Sequence, residues 1–325
     1  MATPTVVREA VETTASPPPV KPRKRGRNRR DQIAGYLFLT PWILGFVLLT
    51  VGPMAASLYL SFTNYNLFTS PQWVGFDNYV QLLSDPRYHQ SVKVTLHYVL
   101  VSVPVKLVVA LGVALLLNNS RRGQGFYRSA FYAPSLLGAS VSVAIVWRAL
   151  FSDDAIVDRA LRLVGLNIGG WIGNPDYALW LLILLAVWQF GAPMVIFLAG
   201  LKQVPQELHE AAAVDGAGRW RRFISITLPM LSPVIFFNLL LETINAFQVF
   251  TSAFVVSSGA TGGAGGPAGS TLVYTIYLYQ RGFQDLRMGY ASAMAWMLLL
   301  VVGLVTVLMF RLARFWVFYG GDDDR

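Results

Sequence analysis

Long runs of apolar residues alternate with short polar connections along most of this chain. Six runs stand out, at roughly 33–60, 93–117, 127–150, 178–200, 231–257 and 288–310. At about 1.5 Å per residue, each is long enough to cross a hydrocarbon core of about 30 Å as a helix. The strict every-second-residue alternation of barrel strands is absent. A helix satisfies its own backbone polar groups, which lipid cannot do. The pattern therefore predicts an all-α integral membrane protein with six transmembrane helices. Gly52-Pro53 in the first run and Gly191 with Pro193 in the fourth predict kinks. By the same pattern the chain divides into a tail over 1–32, a six-helix domain over 33–318 and a short tail over 319–325.

Composition agrees with the pattern. Hydrophobic residues make up 54% of the 325 positions and charged residues 13%, about half the usual quarter. So few charges cannot cover the surface of a soluble protein of this length. The chain has no cysteine, which excludes disulfides, thiolate catalysis and Cys-type zinc or iron–sulfur sites. His89, His97 and His209 belong to no metal-ligand pattern, and no nucleophile triad or carboxylate pair stands out. No enzyme activity, metal or cofactor is expected. No lysine follows a glycine, so there is no P-loop and no ATP hydrolysis by this chain itself. The Gly-rich stretch Gly259–Gly269 falls between spans and reads as a flexible loop.

The net charge of +9 is open to either a nucleic-acid or a membrane reading, and its distribution decides. Eighteen of the 26 basic residues fall on one side of the six runs, in the tail up to Arg30, at Arg121, Arg122 and Arg128, at Lys202, Arg219, Arg221 and Arg222, and at Arg311, Arg314 and Arg325. Five fall on the other side: Arg87, Arg159, Arg162, Arg281 and Arg287. The positive-inside rule places both termini in the cytosol, as an even number of spans requires. The run KPRKRGRNRR then fixes topology and touches anionic membrane lipid; it is not a nucleic-acid site. The Pro-, Thr- and Arg-rich first 30 residues read as disordered, and a cleaved signal peptide is not expected.

The longest connection on the basic side, 201–230, is LKQVPQELHEAAAVDGAGRWRRFISITLPM. Pro205 suits a helix start, and Asp215-Gly216 supplies a stop because glycine tolerates the left-handed conformation. A second short amphipathic helix is expected from Gly218, with Trp220, Phe223 and Ile224 opposite Arg219, Arg221 and Arg222, broken at Leu228-Pro229. The small residues Ala211, Ala212 and Ala213 let another surface approach closely, and Glu210 offers a charge to a basic partner. The residues alone are equally compatible with docking and with a helix lying on lipid headgroups.

The stretch Glu210-Ala211-Ala212-Ala213-Val214-Asp215-Gly216, followed by Ile226-Thr227-Leu228-Pro229, resembles the EAA loop of binding-protein-dependent ABC importer permeases. Ser61-Phe62-Thr63, Val74-Gly75-Phe76-Asp77-Asn78-Tyr79, Tyr127-Arg128 with Pro134, Phe197-Leu198-Ala199-Gly200-Leu201 and Phe247-Gln248-Val249-Phe250 extend the likeness over most of 33–318. The set is most similar to sugar permeases of the maltose/glycerol-phosphate type. The resemblance implies a type I ABC importer transmembrane domain whose EAA loop is a cytosolic coupling helix seated in an ATP-hydrolysing subunit. Carried over, Glu210, Ala211, Ala212, Asp215 and Gly216 make that joint. It further implies a second, homologous permease as heterodimer partner, two cytosolic ATP-binding subunits, an external solute-binding protein and a carbohydrate substrate in the plasma membrane. The chain departs from the family in the glycine content of 259–269 and in the short loop after the first span, which leaves no room for a large external domain.

Within the fifth run, Asn238, Glu242, Asn245, Gln248 and Ser252 fall within an arc of about 120° on a regular helix. A polar stripe inside a span faces protein or water, and a hydroxyl-rich sugar needs such donors and acceptors. The stripe is expected on the translocation path; hydrogen bonding between helices, including a Glu242–Lys106 ion pair, is the alternative. An ion-coupled secondary transporter and a membrane-anchored regulatory subunit without transport are the competing classes.

Overall fold

The computed structural model describes residues 29–118, 123–138, 140–152, 154–163, 165, 170–258 and 263–318. The basic tail before Arg29, Arg121, Arg122, Gly259–Gly262 and the tail 319–325 lie outside the described residues. The chain forms two units, Met1–Ala55 and Ala56–Arg325. The first holds α1 (Arg29–Phe46), a π-helical turn over Val47–Val51 and the start of α2 (Gly52–Ser61). The Gly52 N–H reaches back five residues to the Val47 carbonyl, so the helix passes Pro53 with a shifted hydrogen-bond register instead of stopping. The irregularity expected at Gly52-Pro53 takes that form.

The second unit begins with a small antiparallel ladder, β1 (Thr63–Asn64) against β2 (Gln72–Trp73), followed by α3 (Asp77–Ser84). Asn78 ties this segment down by donating to the Ser61 and Thr63 carbonyls at 2.8 and 3.0 Å. The central element is α4 (Pro86–Asn118), packed against the helices over Pro175–Trp188, Gly191–Leu201, Leu228–Phe247 and Tyr274–Tyr279. It starts seven residues earlier than the apolar pattern suggests. Asp85 is its N-cap, accepting the N–H of Arg87 at 2.9 Å, and Pro86 suits the first turn.

Asp85 also fastens a distant segment. Its Oδ2 accepts from the hydroxyls of Tyr277 and Tyr290, the latter at 2.7 Å, and lies 3.4 Å from the Arg281 guanidinium. Burial raises the Asp85 pKa, but these donors, the Arg87 N–H and the Arg281 charge outweigh it and hold the carboxyl below its ordinary value. Burial and the bond to Asp85 push the Tyr277 hydroxyl up to about 12.

The third apolar run, expected as a span over 127–150, is a bent pair of helices. α5 (Gln124–Leu137) ends after Pro134 has withheld one N–H, and α6 (Val141–Phe151) restarts with Ser140 as N-cap, its Oγ accepting the Ser142 N–H at 3.1 Å. A short amphipathic helix, α7 (Ile156–Leu163), follows. The fourth run is α8 (Pro175–Trp188) and α9 (Gly191–Leu201), bent by 41° at the break, where Gly191 and Pro193 predicted a kink. α10 (Gln206–Val214) and α11 (Arg219–Arg222) form the next connection.

The fifth run departs from expectation at both ends. Leu228-Pro229 is no break: a π-helical turn over Phe223–Thr227 carries α11 into α12 (Leu228–Phe247), giving one helix over Arg219–Phe247. The Leu228 N–H bonds the Phe223 carbonyl, so the register has shifted before Pro229, whose missing N–H then costs little. The helix stops at Phe247 instead of running to 257, and α13 (Thr251–Ser257) begins after Gln248–Phe250.

The described part of the Gly-rich stretch is a folded turn and not the flexible loop expected. Gly266 and Gly269 have φ of +73° and +71°, a conformation side chains disfavour. Gln90 donates to the Ala268 carbonyl at 2.8 Å, Gln280 donates to that of Ala264, and the Tyr274 N–H bonds Thr95 Oγ1 at 2.8 Å. The turn leads into α14 (Tyr274–Tyr279), a π-helical turn over Gln280–Gln284 and α15 (Met288–Ala313). Among the described residues, four helices are long and apolar enough to cross a membrane, at Tyr36–Ser61, Pro86–Asn118, Arg219–Phe247 and Met288–Ala313. With each of the two bent pairs counted as one span, the number is six.

Candidate functional site

Two features carry polar chemistry that packing alone does not require. The first is a cavity of about 120 Å³ lined by Tyr98, Ser102 and Lys106 of α4, Gln189 at the break between α8 and α9, Glu242 and Asn245 of α12, and Ser252 of α13, among others. Tyr98, Ser102 and Lys106 are spaced four apart, so one face of α4 supplies all three. Lys106 Nζ donates to Glu242 Oε2 at 2.7 Å, with each side chain 14% exposed. Tyr98 and Ser102 line the same wall beside this pair. Hydroxyls, an amide pair and one compensated ion pair thus face a common space.

The stripe expected on the fifth span divides three ways. Glu242 and Asn245 line the cavity from the helix, while Ser252 reaches it from α13, after the chain has turned. Asn238 is 2% exposed, and its amide donates to the Val234 carbonyl at 3.2 Å within its own helix. Gln248 lies beyond the helix end and is exposed. The common arc assumed an unbroken helix, and the stop at Phe247 removes that premise. Tyr98, Ser102 and Gln189 were not singled out from the sequence. The i, i+4, i+8 spacing around Lys106 is a signal that could have found the first two.

The second feature is α10 with its cap. Gly216, at φ +79°, closes the helix in a Schellman motif: its N–H bonds the Ala213 carbonyl at 3.1 Å and the Ala217 N–H bonds that of Ala212 at 2.9 Å. Glu207 occupies the first turn, at the positive end of the helix dipole. Glu210, Ala211, Ala213, Asp215 and Gly216 are exposed, Ala212 is half-buried, and Val214 is 89% exposed. Below the helix, Arg222 donates to the His209 carbonyl at 3.2 Å and so leaves the exposed basic face expected of it. Trp220 is exposed.

This chain thus combines apolar helices of membrane-spanning length, a polar cavity lined from several of them and a short, exposed helix on one connection. Comparison with known proteins gives its family. Residues 95–317 match the profile of the binding-protein-dependent transport system inner membrane component, and the chain belongs to that family, the membrane permeases of ABC importers. It is 51% identical over 304 residues to the probable ABC transporter permease protein YesP of Bacillus subtilis, an alignment covering 93% of this chain and 97% of that one. It is 32% identical over 293 residues to the lactose transport system permease protein LacF of Rhizobium radiobacter, covering 88% and 96% of the two chains. Its fold is similar to that of a chain in a bacterial ABC transporter involved in import of the acidic polysaccharide alginate, with a TM-score of 0.74 at 23% identity over 88% of this chain and 96% of that one. As a permease the chain is a transport subunit, not an enzyme.

Proposed function

We propose that this chain forms one half of the translocation path of an importer for a carbohydrate, working with a second homologous permease as a heterodimer, two cytosolic ATP-binding subunits and an external solute-binding protein. The observation that carries the reading is the cavity wall. Tyr98, Ser102, Gln189, Asn245 and Ser252 offer neutral donors and acceptors inside apolar spans, the groups a hydroxyl-rich solute exchanges for its water. The similarity to a lactose permease supports the same substrate class. Glu242, Asn245 and Ser252 face the solute in this assignment. Asn238 supports the helix behind them, and Gln248 meets the solute only if another conformation turns it inward.

Glu210, Ala211, Ala212, Asp215 and Gly216 form the joint to the ATP-hydrolysing subunit. Val214 is exposed and Leu208 partly so among the described residues, and a groove on another subunit would bury both. That side is cytosolic, with both termini, because it carries most of the basic residues. Residues 33–318 constitute the permease domain, between a basic lipid-touching tail over 1–32 and a second tail over 319–325. Nucleotide-driven closure would draw the coupling helices together and move the spans as rigid bodies.

Copurification and uptake test this together. The complex is expected to contain an ATPase and to take up a labelled saccharide from a panel of lactose, maltose and arabino-oligosaccharides only with ATP inside the vesicle. Uptake driven by an ion gradient without ATP, or no associated ATPase, would overturn the assignment. Since the chain has no native cysteine, single thiols at positions 245 and 252 report the path directly; silence of both in every transport state would count against it.

A further inference from the structure

Pro193 has no N–H to give the carbonyl four residues before it, which is that of Gln189. A helix running straight through would leave that carbonyl unpaired in the membrane, at a cost of about 1–3 kcal/mol. The 41° bend between α8 and α9 also takes the Ala192 N–H away from its helical acceptor. Both orphaned groups meet one side chain from another element. Ser135 of α5 donates its hydroxyl to the Gln189 carbonyl at 3.0 Å and accepts the Ala192 N–H at 2.9 Å.

Two glycines make room for this. A Cβ at Gly191 would lie 2.8 Å from Ser135 Oγ and from Tyr132 Cα, and would strike the Phe131 carbonyl. A Cβ at Gly138 would fall on the Gln189 side chain itself. The backbone of the broken span is thus spliced by a foreign hydroxyl at Gln189, a residue of the cavity wall.

We propose that Ser135 is a positioning residue of the translocation path, completing the helix across its break and thereby setting Gln189 in the cavity wall. This bears on transport only if the cavity is the path, as proposed above. Few side chains can do the job. The hydroxyl must donate and accept at once, so threonine can replace it and alanine can do neither.

The test uses the intact transporter in proteoliposomes, with Gln189→Cys as the sole thiol of this chain and 2-sulfonatoethyl methanethiosulfonate as the probe. Adding Ser135→Ala is expected to change the labelling rate at position 189 by about fivefold, the equivalent of one lost hydrogen bond, whereas Ser135→Thr preserves it. Asn245→Cys, in the same cavity but away from the splice, is expected to label alike with either residue at 135. An unchanged rate at 189 in Ser135→Ala, with both thiols reactive, overturns the positioning role and leaves the path standing. No labelling at 189 or 245 in any state overturns the path itself and the proposal with it. Should Ser135→Ala fail to assemble, Pro193→Ala is the second variant, because it returns an N–H to the Gln189 carbonyl. The double variant is then expected to assemble, and its failure to do so also overturns the splice.

Discussion

Lys106 and Glu242 stand 2.7 Å apart across the α4–α12 contact, each 14% exposed, in the wall of the polar cavity. They are 136 residues apart in sequence. An ion pair so placed costs desolvation that its own attraction barely repays, but removing one partner strands the other charge. Glu242→Gln is therefore expected to destabilise the assembled protein by about 3–5 kcal/mol. The double variant Glu242→Gln with Lys106→Met is expected to recover most of that loss. Thermal unfolding of the purified complex in detergent measures both; equal stability of the single and double variants would show that the pair does not couple.

At α10, proposed above as the joint to the ATPase subunit, folding and docking can be tested separately. A Cβ at Gly216 meets nothing within 4 Å, so Gly216→Ala costs this chain only the left-handed conformation, about 1–2 kcal/mol, and Gly216→Trp adds its ring at an exposed position. Both variants are expected to insert and to keep their melting temperature within a few degrees. Gly216→Trp is expected to lose the ATPase subunit on copurification while Gly216→Ala retains it. Equal retention by the two variants would place the joint elsewhere.

Asp85 yields a pH dependence with a definite sign. Its carboxyl is held below the ordinary value of 3.8 in the folded chain, so its ionised form stabilises the fold above that pH. The contribution is lost as pH falls through the still lower folded value. Melting of the wild type and of Asp85→Asn is expected to differ at neutral pH, with the wild type higher. The difference is expected to shrink steadily below about pH 4. A gap that stays constant into that range would mean that the charge on Asp85 contributes nothing.

The Gly-rich turn distinguishes glycines by what surrounds them. A side chain at Gly269 would strike the Gln90 amide, and one at Gly266 would strike Thr271 Oγ1, whereas Gly263 has open space around it. All three have positive φ, so the conformational cost is shared and cancels in a comparison. Gly266→Ala and Gly269→Ala are each expected to lower the melting temperature more than Gly263→Ala does, by several degrees. Equal effects would mean that the turn yields and that its packing carries little.

The six apolar runs, the helical class and the capped α10 helix were legible in the residues themselves. Their causes are local or set by the solvent. Lipid demands internal backbone bonding, and Pro205 and Gly216 act through their own torsions. Gly191-Pro193 announced the bend of the fourth span for the same reason. What the residues could not announce was decided between elements. Leu228-Pro229 reads as a break, yet a π-helical turn just before it keeps the helix continuous from Arg219 to Phe247. The arc from Asn238 to Ser252 assumed a helix that in fact stops at Phe247. The cavity draws Tyr98, Ser102 and Lys106 from one span, Gln189 from another and Glu242 from a third. No periodicity within one segment encodes that meeting, because only packing sets which faces of different helices oppose one another. The local pattern made each helix; the contacts among helices made the site.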